Sequence, residues 1–537
     1  MRFTGRSRLQ LLILTTVFTV CFGVQCAPTQ ESSPSTNPKL DSASQMQQQL
    51  NDLKMAMNEM KAEEALYRAQ AGAQILDLKQ QLRKTQEKLE STERSLQAAV
   101  GALAPNAEKA APDHGPDSQS TDKSQEEQQV QRLQDNQQLL ASKVDEQYQS
   151  KVESGSKYRV KIFGMILMNT FSNQGNVDHI EVPSVALAAT PFTTKGSIGG
   201  SFGATLRQSQ LGLEVYGPSI AGATTRGDFV ADFFGAFPEI NNGAAGGSLR
   251  VRTGTVRMDW QRTSIVAGMD NLFFSPTYAT SYASLGIPAF AYSGDIWAWM
   301  PQIRVEHRLL ESDSSNVTVS GGILDGLTGE APPSDFLRLP GAGESRRQPA
   351  YASRIDWSHR AFGEPLKIGI GGYYNRENWA GHNIDGWAAT IDWAVPLGKE
   401  FGLSGKVYRG LAIGGLGAGL GNSILSTGPL TDPTTAIRAL RSVGGWSQFK
   451  FRPTTKLEFN VAAGQDDAFA ADARGFTVAP GYLAANLIRN RSELANVIYR
   501  PRSNLLLSAE FRALRTFTIQ GTSQRANQVN LIMGVLF

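Results

Sequence analysis

The stretch from Lys157 to Phe171, KYRVKIFGMILMNTF, alternates apolar and polar side chains over much of its length. Successive side chains of a β-strand point to opposite faces, so this stretch predicts a strand with one apolar and one wet face. The apolar face holds Tyr158, Val160, Ile162, Ile166 and Met168, and the polar face holds Arg159, Lys161 and Asn169.

Comparable segments recur to the end of the chain, and we count sixteen of them. A single-chain bacterial membrane barrel requires an even number. Connections after even-numbered segments are short and turn-like, and those after odd-numbered segments are mostly long, as in barrels with short periplasmic turns and longer outer loops. The sequence therefore predicts an all-β transmembrane barrel of antiparallel strands over residues 157–537, preceded by an N-terminal α-helical coiled coil. The predicted strands are residues 158–171, 201–216, 225–234, 248–260, 262–270, 299–309, 315–324, 350–358, 365–374, 385–395, 401–410, 443–452, 455–463, 492–500, 503–516 and 526–537.

The last predicted strand ends in Phe537 after alternating apolar positions, which resembles the assembly signal of outer-membrane proteins. At the other end of the chain, three arginines precede an apolar stretch from Leu9 to about Val24, which is too short to span a bilayer comfortably. This pattern predicts a signal peptide over residues 1–26, with both cysteines of the chain inside it. We therefore expect an exported protein.

A stalk precedes the barrel. Residues 27–43 and 101–125 are rich in Pro, Ser or Ala and are predicted linkers. Residues 44–100 carry a heptad pattern with one skip near Gly72, which predicts a coiled coil. A long amphipathic helix folded onto a domain is the alternative, but so narrow an apolar seam favours self-association. Residues 126–154 are predicted to contain a shorter helix that leads into the barrel.

The chain carries 52 basic and 49 acidic residues, so its net charge of +3 gives no bulk argument for nucleic-acid binding. The charge is unevenly distributed. Residues 157–537 hold 27 Arg and 8 Lys against 29 Asp and Glu, an excess of six positive charges, whereas the preceding residues are slightly acidic. Because guanidinium groups suit carboxylates and phosphates, this excess of Arg over Lys favours an anion-conducting lumen.

Several strings resemble the DcaP-type trimeric porins, which are outer-membrane channels with an N-terminal coiled coil. These strings are Tyr158 to Gly164, Ala204 to Gly212, Gly227 to Gly235, Leu249 to Arg252 and Pro301 to Arg304. An Arg commonly stands in the family where Gln210 stands here. The resemblance implies a homotrimer of sixteen-stranded barrels, located in the bacterial outer membrane with its coiled coil in the periplasm. It also implies passage of small anions, notably dicarboxylates.

Strand parity assigns a direction to several charged side chains. With Val251, Ile303, Ile355 and Phe511 facing outward, their neighbouring arginines face the lumen. The direction of Arg207 is ambiguous, because the apolar parity changes between Leu206 and Leu211, and a bulge there would resolve it. For any one Arg, pairing with a lumenal carboxylate is at least as good an interpretation as contact with a solute. The predicted anion pathway comprises Arg159, Lys161, Arg207, Arg250, Arg252, Arg304, Arg308, Arg354 and Arg512.

The third long connection, Asn271 to Ala298, is the candidate for a loop that folds into the channel. It is rich in aromatic residues and has one acid and no base. An alternative is a loop packed at a subunit interface. The predicted constriction residues are Phe273, Phe274, Tyr278, Tyr282, Phe290, Tyr292 and Asp295.

The sequence thus predicts a porin for passive diffusion of small anionic solutes such as dicarboxylates. A phosphate-selective channel, and an envelope tether whose barrel is only an anchor, are the alternatives. The histidines show no metal-ligand spacing, and no Ser-His-acid constellation appears, so we expect no cofactor, metal or enzymatic activity. The expected partners are two further copies of the chain, outer-membrane lipid and small anions.

Overall fold

The computed structural model describes residues 151–152, 159–188, 199–235, 246–312, 314–330 and 338–537. The predicted signal peptide, linkers and coiled coil lie outside the described residues, as does most of the predicted helix at 126–154. Lys151 and Val152, from the end of that range, form a two-residue strand that pairs with Lys161 and Val160.

A single antiparallel sheet closes on itself as a barrel. It contains 18 strands among the described residues, of which Lys151–Val152 is an addition at one end and two are halves of one interrupted strand, so sixteen strands form the wall. Each wall strand pairs with the next, and the first also pairs with the last, with Met168 opposite Met533. The predicted fold class is therefore confirmed for the barrel.

We number the wall strands β1 to β16 in chain order. They are β1 (Arg159–Gln174), β2 (Gly200–Thr205 and Gln210–Tyr216), β3 (Thr224–Asp232), β4 (Arg250–Asp259), β5 (Thr263–Asn271), β6 (Trp299–Glu311), β7 (Ser315–Leu324), β8 (Ala350–Ala361), β9 (Glu364–Trp379), β10 (His382–Pro396), β11 (Phe401–Leu411), β12 (Arg441–Phe451), β13 (Leu457–Ala468), β14 (Leu487–Arg502), β15 (Leu505–Thr518) and β16 (Ser523–Leu536).

Each of the sixteen predicted segments corresponds to one wall strand, and most differences lie at the strand ends. The prediction ended β9 at residue 374, whereas the strand continues to Trp379. Its last residues include Asn375, Arg376 and Glu377, which do not alternate with apolar residues. Backbone pairing with β10 nevertheless continues there, so hydrophobic pattern alone misses the end of the strand.

The interruption of β2 is the bulge that the parity change required. Thr205 lies opposite Asn169 and Gln210 lies opposite Met165, so five steps along β2 match four along β1. Leu206 and Leu211 both face outward in consequence. Arg207, between them, points inward and is buried. One extra residue thus reverses the parity and places a charged side chain in the lumen.

The outer wall is apolar and the inner wall is polar, as a barrel surrounded by hydrocarbon requires. In β16, Val529, Leu531 and Met533 are about half exposed, whereas the alternate residues Gln528 and Asn530 are buried inside. So large an exposed apolar surface is unusual for a protein surrounded by water.

The two ends of the barrel differ. At the short-turn end, strands are joined by residues 217–223, 260–262, 312–314, 362–363, 397–400, 452–456 and 503–504. At the long-loop end, the connections are residues 175–199, 233–249, 272–298, 325–349, 412–440 and 469–486, together with the short ones at 380–381 and 519–522.

The long connections contain the remaining regular structure. The helical turns are Glu344–Arg346, Gly414–Leu416, Gly419–Gly421 and Ala470–Ala473, and two small strand pairs join Asn176–Val177 to Ala186–Leu187 and Ile424–Ser426 to Ile437–Ala439. Among the described residues, no helix has the length and apolar character needed to cross a bilayer.

Candidate functional site: the barrel interior and its inner loop

The connection between β5 and β6, residues 272–298, lies inside the barrel, and we call it the inner loop. Its backbone bonds to inward-facing side chains on distant strands. Phe274 O accepts bonds from Arg354 Nη1 at 3.1 Å and Thr390 Oγ1 at 3.0 Å. Further along, Thr280 N donates to Gln448 Oε1 at 2.7 Å. The loop therefore follows the inner wall from β8 round to β12 and beyond.

The tip of the inner loop reaches β2 and β4. Gln208 Oε1 accepts bonds from Leu285 N and Gly286 N at 2.7 and 2.9 Å. Arg252 Nη1 donates to Leu285 O at 2.6 Å, and Arg250 Nη2 donates to Gly286 O at 2.7 Å. An irregular loop needs side-chain partners for its backbone groups, and these three side chains supply them.

The returning half of the inner loop is held by a buried ion pair. Lys406 Nζ lies 2.7 Å from Asp295 Oδ1 and donates to Ser275 O at 3.0 Å and Ile296 O at 3.2 Å. Both charged side chains are fully buried. Burial raises the pKa of Asp295 to about 6, and Lys406 opposes that shift. The pair joins both ends of the loop to β11.

Arg250 and Arg252 share one carboxylate. Asp232 is fully buried and accepts bonds from Arg250 Nε and Nη2 at 3.0 and 2.6 Å, while Arg252 Nη1 lies 3.3 Å away. The arginines keep 26% and 16% of their side-chain surface exposed. Their guanidinium groups also lie 4.9 and 4.6 Å from the ring of Trp299. Two cations and one anion leave a local excess of one positive charge at the loop tip.

The other predicted pathway arginines mostly pair with carboxylates. Buried Arg207 contacts Glu181 at 3.1 Å, and Arg304 contacts Asp270 and Glu306, each at 2.8 Å. Arg354 binds both oxygens of Asp392, Arg512 pairs with Glu510, and Arg308 pairs with Glu311 near the short-turn end. These contacts agree with the interpretation that an individual lumenal Arg pairs with a carboxylate instead of contacting a solute.

Arg159 and Lys161 lie apart from the loop. They share the inward parity of β1 with buried Leu167 and are exposed at the short-turn end. Among the described residues, neither makes an ion pair within 4 Å. The structure thus brings together Arg207, Arg250 and Arg252 at the loop tip, and leaves Arg159, Lys161 and Arg308 at the other end.

Several predicted constriction residues pack between the loop and the wall. Phe273, Phe274, Phe290 and Asp295 are buried, and Phe274 and Phe290 stack on Tyr373 and Trp446 with ring centroids 5.2 and 5.9 Å apart. Tyr278, Tyr282 and Tyr292 remain half-buried. The buried rings hold the loop against the wall instead of facing water. Burial also raises the pKa of the Tyr292 hydroxyl to about 12.

Partly exposed charges remain on the inner wall of β3 to β6. Arg257 contacts Asp259 at 2.6 Å and Glu306 at 2.9 Å, and all three side chains are about one-fifth to one-quarter exposed. Asp270 has similar exposure. This face therefore offers water a surface on which Arg and carboxylate alternate.

The sequence prediction missed this alternation. Asp232 and Asp270 alternate with outward-facing apolar residues of their own strands, so parity could have identified them. Asp259 has the parity of outward-facing Val251, and only the bulge between β3 and β4 turns it inward. Lys406 and Gln208 could also be assigned inward, but nothing local indicates that they bind a loop more than seventy residues away.

The first long connection also turns inward, over residues 178–188. Asn490 Nδ2 donates to Ser184 O at 2.8 Å, and Ala186 N donates to Thr516 Oγ1 at 2.9 Å. Asp178 accepts bonds from Ser184 N and Val185 N, both at 2.9 Å. Asp178 is itself solvent-exposed, but the surrounding protein displaces part of the water near its carboxylate and raises its pKa to about 6 despite these bonds. Within the described part of the chain, no cluster of three or more His, Cys, Asp or Glu residues is arranged to hold a metal ion.

The barrel is similar to solved outer-membrane channels. The outer membrane channel DcaP of Acinetobacter baumannii has a TM-score of 0.52 and 17% identity, over 71% of this chain and 99% of that chain. An anion-selective porin from Comamonas acidovorans has a TM-score of 0.44 and 11% identity, over 71% and 100%. No family model and no curated protein matches the sequence. The chain has the porin fold of the DcaP channel.

Proposed function

We propose that this chain, whose barrel has the porin fold, is an outer-membrane channel for passive diffusion of small anionic solutes such as dicarboxylates. The observation that carries the proposal is the water-accessible pair of guanidinium groups at the tip of the inner loop. Arg250 and Arg252 share the single carboxylate of Asp232, so the lumen beside the loop tip keeps one uncompensated positive charge.

The path would run between the inner loop and the inner wall of β3 to β6. On that wall, Arg257 and Arg304 are each in contact with carboxylates, so most of the path is electrically balanced. Balanced charges bind water well and hold no ion strongly, which suits passage. The unbalanced pair at the loop tip would then set a modest preference for anions.

The apolar outer wall and the difference between the two barrel ends support an outer-membrane location, with the short-turn end in the periplasm. The predicted coiled coil at 44–100 would lie in the periplasm and join three copies of the chain. Trimeric assembly and the stalk come from the sequence and its family resemblance, and they form part of the proposal.

The test is the reversal potential of purified protein across a bilayer with a KCl gradient, for wild type and Arg252→Gln. This substitution removes the excess charge but leaves Asp232 bound to both Arg250 nitrogens. A unit charge about 5 Å from an ion in water contributes about 0.8 kcal/mol, or about a fourfold change in the anion-to-cation permeability ratio. We expect wild type to prefer chloride, and we expect the anion-to-cation permeability ratio of Arg252→Gln to be about fourfold lower.

The matched control is Arg441→Gln, which removes the same charge from the outer wall, where Arg441 is paired with Asp472. Its reversal potential should equal that of wild type. A cation preference in wild type, or equal shifts in both variants, contradicts the proposal.

Two alternatives give different results in the same apparatus. Block of the current by phosphate with no effect of succinate indicates a phosphate-selective channel that uses the same arginines. Reconstituted, folded protein without any conductance indicates an envelope tether.

A further inference from the structure

Arginines on the outer wall form a cluster that the lumen does not use. Arg491, Arg515 and Arg525 lie on the neighbouring strands β14, β15 and β16, and all three share the parity of outward-facing residues such as Phe511 and Val529. In the register of the sheet, Arg491 lies directly opposite Arg515, and Arg515 lies directly opposite Arg525. We call these three residues the arginine row.

The arginine row is electrostatically unfavourable by itself. Cβ atoms of directly opposed residues lie about 4.5–5.5 Å apart, and like charges in such positions destabilise a sheet. Within the part of the chain that the structure describes, none of the three forms an ion pair with a carboxylate. Arg491 and Arg515 instead donate to Gln465 and Ser523, which carry no charge.

The acidic residues near the arginine row do not neutralise it. Glu493 faces outward two positions below Arg491 in β14, but lies opposite Ala513 and outside ion-pair distance of the row. Asp467 is occupied by Arg489 at 2.8 Å. The ring of Phe517 lies among Arg489, Arg491 and Arg515, with its centroid 5.8, 5.7 and 4.7 Å from their guanidinium carbons, and holds them together. Several aligned donors are therefore free for an anion.

The row also lies at a particular height on the barrel. Below it on β15 and β16, the outward side chains are apolar and exposed, including Leu507, Phe511, Val529 and Leu531. Eight positions separate Leu507 from Arg515. At about 3.3 Å per residue and a tilt of about 40°, they span roughly 20 Å along the membrane normal, which approaches the height of the apolar band of such barrels. The row thus meets the band at its long-loop edge, where lipid headgroups begin.

We infer that the arginine row binds the phosphate groups of an anionic lipid in the leaflet at the long-loop end. Phosphate oxygens accept bonds from guanidinium groups in bidentate geometry. They would neutralise the three like charges that the register of the sheet places opposite one another. The lipid's acyl chains would lie on the apolar wall directly below. The inference takes from the proposed function only the location of the barrel in the outer membrane. It does not require that the barrel conducts ions.

The test is native mass spectrometry of the full chain in detergent, with bis-phosphorylated lipid A as the probe. Monophosphorylated lipid A tests the need for the second phosphate, and phosphatidylcholine, whose phosphate is balanced by its choline cation, tests the need for net negative charge. Excess inorganic phosphate tests whether the free ion competes. The variant is Arg491→Gln/Arg515→Gln/Arg525→Gln. The matched control is Arg441→Gln, on the same outer wall, whose guanidinium already binds both oxygens of Asp472.

We expect wild type to bind the bis-phosphorylated probe most tightly, with little competition from inorganic phosphate. Each arginine near a lipid surface contributes about a fivefold change in affinity, so the triple variant should bind about a hundredfold more weakly. The control should bind like wild type. Without lipid, the triple variant should unfold at the same temperature as wild type or higher, because the like charges are gone.

Equal binding by wild type and triple variant overturns the inference. So does complete competition by inorganic phosphate, which identifies a site for the free ion. Separation of an oligomer into monomers by the triple substitution, in the absence of lipid, also overturns it and assigns the row to a subunit contact. Protein that binds lipid but never conducts contradicts the proposed function alone, and protein that conducts without this lipid preference contradicts the present inference alone.

Discussion

Replacing Lys406 with Met should release the inner loop without unfolding the barrel. The ammonium group contacts Asp295, Ser275 O and Ile296 O between 2.7 and 3.2 Å, and lies 4.6 Å from the ring centroid of Tyr278. All four partners belong to the inner loop. The wall at this point is held separately by backbone pairing of β11 with β10 and β12. The cost of the substitution therefore falls on the docking of the loop.

The magnitude follows from the burial of the pair. Removing one partner of a buried ion pair typically costs about 3–5 kcal/mol, because the remaining charge is left without compensation. A loss of about 4 kcal/mol shifts the ratio of docked to undocked loop by about a thousandfold. Replacing both partners with apolar residues of similar volume is often neutral. Lys406→Met/Asp295→Val, in which Met is close to Lys and Val closer to Asp in volume, is therefore the matched control.

Single-channel recording in a planar bilayer measures this release. Wild type should show a steady current, and Lys406→Met should show frequent transitions to higher conductance, because a loop that leaves the wall widens the path. The double variant should again show the steady current of wild type. A folded Lys406→Met channel with the same current and noise as wild type would refute our assignment of this pair as the anchor of the loop.

Three further predictions concern other contacts. Gly371→Ala should loosen the inner loop, because a Cβ there would lie 2.0 Å from Phe274 O, whereas Gly321→Ala meets open space and should leave the current noise unchanged. Arg354→Met should lower the melting temperature of the barrel, measured by heat-modified gel mobility, because it removes both bonds to buried Asp392 at a cost of about 3–5 kcal/mol. Asp178 is itself solvent-exposed, but the surrounding protein raises its pKa from 3.8 to about 6. The first long connection should therefore be most firmly docked below about pH 4 and should lose part of this stabilisation, which water screens, as the pH rises through 6. Exchange protection of the Ser184 and Val185 amides, corrected for intrinsic rates, measures this change, and Asp178→Asn should abolish it.

Sequence alone predicts the wall well, because lipid outside and water inside impose period-two alternation on each strand. The same alternation places Arg250, Arg252, Arg304 and Arg354 in the lumen correctly, and the parity change near Arg207 indicates the bulge. Each of these inferences needs only neighbours along one strand.

The contacts of these side chains could not be predicted in the same way. Arg354 donates to Phe274 O, eighty residues earlier in the chain, and binds Asp392, two strands away. Such partners depend on how the inner loop crosses the lumen, and the loop's path has no period. The aromatic residues of the loop were expected as a constriction, but Phe274 and Phe290 pack on the wall because burying their rings stabilises a loop without regular backbone pairing.

The hydrogen bonds between the inner loop and distant strands also constrain the order in which the barrel can assemble. Thr280, Ser281 and Ser284 bond to side chains of β12, β14 and β15, all of which follow the loop in the chain by more than 150 residues. In a partly assembled barrel that lacks these strands, the loop would have no partners for these groups. Contacts so distant in sequence form late, since the intervening chain must first be ordered. The final width of the lumen would then be established only when the last strands close the wall, and a barrel arrested before closure would have an untethered loop.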